Sequence, residues 1–94
     1  MMKNYEVKTR KSLYIGDKQI TDFAYDDVIE MKDCIVMVNN SADKHFITLI
    51  STSRSQIIEN INCVAEYKCS NNVLCVKYSK NDLWYVFLED GNPL

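Results

Sequence analysis

His45 and the four cysteines are the residues of this sequence best suited to covalent chemistry. That chemistry would be attack by a thiolate, with the imidazole as general base. A thiol acts this way only when it is exposed and activated by a nearby cation or helix N-terminus. Cys34, Cys63 and Cys75 sit instead among apolar residues, where a free cysteine behaves as a small hydrophobe. His45 opens an apolar run beside Lys44, and no motif supplies it with a nucleophile or an orienting partner. The cysteines lie 29, 6 and 6 residues apart, which provides no Cys-x2–4-Cys pair for zinc. Gly16 and Gly91 are isolated, and single glycines make neither a P-loop nor a dinucleotide fingerprint. The expectation is a protein that is not an enzyme, with no metal and no cofactor.

Carboxylates carry the stronger signal. Asp22, Asp26, Asp27, Glu30 and Asp33 crowd one short segment, whose net charge over residues 19–33 is −4. Residues 1–18 carry +3 and residues 34–94 carry −1. The acidic spacing lacks the Asp-x-Asp-x-Asp-Gly order of a calcium loop. Clusters of this kind speed association with basic partners and set their orientation. Tyr25 sits inside the cluster, and tyrosine is a common binding anchor. The expected partner-binding surface is therefore Asp22, Tyr25, Asp26, Asp27, Glu30 and Asp33. Lys3, Lys8, Arg10 and Lys11 read as a solvated strand edge, so a nucleic-acid partner is not expected.

Short strands must position these residues. Val, Ile, Tyr and Phe fill runs at roughly 4–8, 12–15, 18–22, 28–31, 34–39, 45–51, 56–59, 63–67, 72–78 and 83–88, as strands prefer. Turn chemistry comes from Asn, Asp and Ser at 39–44 and 79–82. The runs at 34–39 and 83–88 are apolar on both faces, so each needs cover from a second sheet, a helix or another chain. One segment is contested. Ile57, Ile58, Ile61, Val64 and Ala65 fit a helical stripe behind a Ser53-x-x-Gln56 capping box, while residues 61–67 alternate as a strand does.

A repeat bears on that choice. Gln19-Ile20 aligns with Gln56-Ile57, Val28-x-Glu30 with Val64-x-Glu66, residues 35–38 with 73–76, and 46–50 with 84–88. The offset runs from 36 to 38 residues, which marks a repeated supersecondary unit. The fold expected is mainly β, an antiparallel meander of two degenerate repeats of about 37 residues. The alternative is α+β, an antiparallel sheet with one helix near 54–67.

The string Ile20-x4-Tyr25-Asp26-Asp27-Val28-x2-Met31-x-Asp33-x-Ile35-x2-Val38 resembles the WG-repeat (KWG) family. The resemblance covers residues 12–91 as two copies, with Trp84 and Gly91 near the family's aromatic and turn glycine. The Trp-Gly dipeptide is absent, since Tyr85 follows Trp84. The resemblance implies a β-repeat binding module without catalytic residues.

Length and composition bound the rest. Ninety-four residues with 47% hydrophobic content fit one packed domain over 1–94 rather than a disordered chain. The apolar runs are too short to span a bilayer as helices. No apolar leader follows Met1, which, with thiols expected to be free, points to the cytoplasm. The function expected is a small acidic cytoplasmic binding protein that inhibits a partner. The concrete form is a bacterial immunity protein or antitoxin that occludes the basic active site of a nuclease-type toxin. The alternatives are a phage- or mobile-element-encoded inhibitor of a host defence enzyme, and a non-catalytic self-assembling β module, for which a homodimer supplies the missing cover.

Overall fold

The computed structural model describes residues 13–21, 25–80 and 82–94 in full, and residues 5–8 and 12 by their backbone. The chain is mainly β and antiparallel throughout, with no helix among the described residues. None of the described residues therefore forms a helix long and apolar enough to cross a membrane.

Strands β1 (Tyr5–Lys8), β2 (Ser12–Ile15) and β3 (Lys18–Thr21) form a three-stranded meander. Gly16, at φ 61°, makes the tight turn between β2 and β3. Six further strands form a second meander in sequential order. They are β4 (Asp27–Glu30), β5 (Cys34–Ser41), β6 (Lys44–Ser51), β7 (Gln56–Ser70), β8 (Val73–Tyr78) and β9 (Trp84–Phe87). Asn71 and Asn72 connect β7 to β8 with φ of 52° and 62°, the left-handed pair that a two-residue hairpin favours and asparagine tolerates.

Residues 56–70 form one strand, so the helical alternative for 54–67 does not occur. The segments expected at 56–59 and 63–67 are joined in a single run. The stripe of isoleucines yields to strand pairing because both halves of β7 have partners. Residues 56–64 pair with β6, and residues 64–70 pair with β8, with Val64 bonded between the two. Cys63, at φ 60°, sits in the irregularity where β7 changes partners. An extra residue there bends a strand and adds twist. Ser53 makes no helix cap either. Residues 52–55 turn, and the Ser51 hydroxyl accepts the Arg54 N–H at 3.2 Å.

The bend folds the six-stranded sheet onto itself. Cys34, Val36 and Val38 of β5 and Ile47 and Leu49 of β6 share one core with Leu74, Val76 and Phe87 of β8 and β9. On the other face of β5, Ile35 and Met37 join Ile50, Leu13 and Tyr25 in a second core. β5 is thus covered on both faces, as its two-sided pattern requires, and the cover on the outer face is the β1–β3 sheet. The Thr21 hydroxyl accepts the Leu13 N–H at 3.1 Å and meets Met37 Sδ at 3.9 Å, so this buried polar group is satisfied.

The two long hairpins share a register. Moving the Ile35–Ile50 pair by 38 residues sets Val73 opposite Leu88, in line with the observed pair Leu74–Phe87. The preceding hairpins differ. Glu30 pairs with Ile35, close to a turn at 31–33, whereas Glu66 pairs with Lys77, four residues from the turn at 71–72. Layer by layer, β1–β3 lies against β5 and β6, and β5 and β6 lie against β8 and β9.

Candidate partner-binding site

The carboxylates expected to bind a partner are carried by β4 and its two flanks. β4 ends the six-stranded sheet and pairs only with β5 in it. Tyr25 precedes it. The Asp26 N–H donates to the Val38 carbonyl at 2.8 Å, and Asp26 Oδ2 accepts the Asn40 N–H at 2.7 Å. That pair of bonds holds the Asp26 side chain against the β5 hairpin end. Asp27 is exposed, and its Oδ1 accepts the Val28 N–H at 2.9 Å. Glu30 is half-buried at the far end of the strand. Asp33 is exposed in the following turn. At about 3.3 Å per residue, Asp27 and Glu30 stand roughly 10 Å apart. Asp27 lies opposite Val38 and Glu30 opposite Ile35, whose side chains enter different cores, so the row of charges follows the edge strand on both of its faces and forms no compact pocket.

Two expected members do not join the row. Asp22 lies outside the described residues. Tyr25 is 7% exposed and packs among Leu13, Ile35, Met37 and Ile50, so its ring is a core residue and no surface anchor. Its apolar body fills the gap between the two sheets, where burying an aromatic ring outweighs leaving it as a surface contact. Its hydroxyl has no hydrogen-bond partner among the described residues. Tyr25→Phe is therefore expected to change stability by less than about 1 kcal/mol, or to raise it, because no bond is lost. Tyr25→Ala is expected to cost about 3–5 kcal/mol through the cavity it leaves. Urea unfolding of both variants checks this, and a loss above about 2 kcal/mol in the phenylalanine variant contradicts it.

Polar neighbours surround the Asp26 end. His45 Nδ1 lies 2.6 Å from Asn40 Oδ1. The amide oxygen only accepts, so Nδ1 carries the proton and Nε2 keeps its lone pair when the ring is neutral. The imidazole stands edge-on to Tyr67, with ring centroids 4.9 Å apart at 81°. Burial raises the Tyr67 hydroxyl above its ordinary pKa, and the Asp27 charge adds to this.

The far end gathers acids that sequence reasoning did not assign. The Asp33 N–H donates to the Glu89 carbonyl at 3.1 Å, bringing Glu89 and Asp90 beside Asp33. The Asn92 backbone N–H and side-chain amide bond to Asp90 and hold its carboxyl below the usual range. No local signal could have joined residues so far apart in the chain.

The groups suited to covalent chemistry are placed differently. The four cysteines are free thiols. Cys34 is fully buried, and burial pushes its thiol up to about 11, far from a reactive thiolate at neutral pH. Burial raises Cys69 as well. Among the described residues, no hydroxyl or thiol hydrogen-bonds to His45, and no three His, Cys, Asp or Glu side chains gather as metal ligands.

A second surface lies at the opposite terminal strand. Leu83, Trp84, Tyr85 and Leu88 are 61%, 41%, 42% and 38% exposed. Lys68 Nζ and Lys77 Nζ approach the Trp84 ring, 5.2 and 5.8 Å from its centroid. No family model matches the chain, and neither curated proteins nor solved structures give a match.

Proposed function

We propose that this chain is a non-catalytic binding protein that inhibits a protein partner, in the manner of an immunity protein or antitoxin. The observation that carries the proposal is the set of carboxylates on terminal strand β4 and its flanks, Asp26, Asp27, Glu30 and Asp33, which line its free edge from both faces, three of them exposed. Asp26 is pre-placed by its bond from Asn40, so little side-chain freedom is lost on docking. Carboxylates spaced along a strand resemble, in charge and reach, a nucleic-acid backbone. A nuclease-type toxin with a basic cleft would accept them as a decoy, and the body of the sheet would then close the cleft.

Opposite charge acts chiefly on encounter and orientation. The row therefore makes association fast and salt-sensitive. Capture of the partner from the native cytoplasm, followed by titration with wild type and with the Asp26→Lys plus Asp27→Lys variant, tests the assignment. The double reversal is expected to weaken binding by about tenfold or more, roughly 1.4 kcal/mol. Unchanged affinity for every captured partner overturns the role given to this strand.

A further inference from the structure

The second half of the meander has an uncovered face, and its counterpart in the first half shows what belongs there. In the shared register, Ile35, Met37 and Ile50 correspond to Val73, Cys75 and Leu88. The first three are fully buried beneath the β1–β3 sheet. The second three share an outer face with Val86, Trp84, Lys68 and Lys77, and no described element lies over them. Leu88 and Trp84 are exposed, while Val73, Cys75 and Val86 are half-buried. Single exposed apolar residues are ordinary, but a contiguous patch on one sheet face marks an interaction surface.

We propose that this face is covered by the same face of a second copy, in a two-fold dimer. The face is self-complementary in shape. Its middle is small, with Cys75 beside Val86, and one end is raised by Trp84. At the other end, Asn71, Asn72, Val73, Leu88 and Glu89 line a hollow of about 280 Å³. A two-fold axis crossing the strands at Cys75 and Val86 lays β9 antiparallel over its copy. Trp84 of each chain then enters the hollow of the other, which is the reciprocal contact that an isologous interface requires.

The charges follow the same symmetry. Lys68 and Lys77 ride on the Trp84 ring, so they travel with it toward Glu89 at the rim of the opposing hollow. Lys77 is already paired with Glu66 at 3.2 Å, which leaves a face of mixed sign able to meet itself without net repulsion. β4 itself ends the other side of the sheet, and the dimer face meets the acidic row only where Glu89 lies beside Asp33.

Sedimentation equilibrium on the full chain tests the proposal. At about 100 µM, wild type is expected at twice the 10.9 kDa chain mass. Trp84→Glu and Leu88→Glu, both at exposed positions, are expected at the single-chain mass with unchanged far-UV circular dichroism. Trp84 is the sole tryptophan, so wild type carries its own probe. Its emission should shift to the red on dilution as the ring leaves the hollow. A wild-type chain that remains single at this concentration overturns the dimer, whatever other partner covers the face. A dimer that persists in both variants overturns the interface, and so does tryptophan emission that is indifferent to dilution.

Discussion

Gly91→Ala is expected to destabilise the fold by about 3 kcal/mol. Gly91 is buried, at φ 86°, just after β9. Its N–H donates to the Leu88 carbonyl at 2.8 Å, closing the turn that returns the chain along β9. An L-residue in this left-handed region costs roughly 1–2 kcal/mol. The added Cβ would also lie 2.6 Å from Ile58 Cδ1 and 3.0 Å from Cys34 Sγ. Ile58 is half-buried, and the end of its side chain can swing aside. Cys34 is fully buried at the start of β5 and has nowhere to go. Overpacking of this kind adds about 1–3 kcal/mol. Urea unfolding gives the total, and a loss below about 0.5 kcal/mol contradicts the close approach. A Cys34→Ala background should recover part of the loss, because the two positions are in contact and their effects are not additive.

Ile35→Ala is expected to cost about 3–4 kcal/mol, whereas Leu88→Ala should cost less than about 1 kcal/mol in dilute chain. Ile35 is fully buried between β5 and the β1–β3 sheet, and Leu88 belongs to the uncovered outer face. Both are aliphatic side chains on matching faces of the two long hairpins. The difference between the two losses therefore measures the cover and not the strand. Similar losses at both positions would mean that β1–β3 adds no packing over β5.

Much of this layering is legible in the residues themselves. The pattern at 34–39 demands cover on both faces, and β5 has it. The same pattern at 83–88 raises the same demand, and β9 leaves it half answered, with Trp84 and Leu88 exposed. Apolar alternation states that cover is needed and is silent on which segment supplies it, because that depends on long-range pairing. The strand–helix ambiguity at 54–67 has a local origin. Isoleucines at 57, 58 and 61 suit either period, and only the pairing of β7 with β6 and then β8 decides between them.

The candidate site is legible in part. Asp26, Asp27, Glu30 and Asp33 are polar residues on an edge strand and its flanks, and burying so many carboxylates without partners would be costly. Tyr25 misleads because tyrosine is amphipathic. Its neighbours Asp26 and Asp27 suggest a surface ring, but it precedes β4, outside the strand's alternation, and packs against Ile35 and Met37. Glu89 and Asp90 are hidden for the opposite reason. They join Asp33 through a backbone bond between distant segments, which no local pattern records.

Inhibition of a captured partner by the whole chain bears most directly on the proposed function. The partner's own activity is followed as the chain is added, at low salt and again at about 0.5 M salt, where screening is nearly complete beyond a few ångströms. Loss of activity at one chain per partner is expected. At high salt, and in the Asp26→Lys plus Asp27→Lys variant at low salt, the concentration needed should rise by about tenfold or more. A partner that stays fully active when saturated, or inhibition indifferent to both salt and the double reversal, would contradict a charge-guided inhibitor.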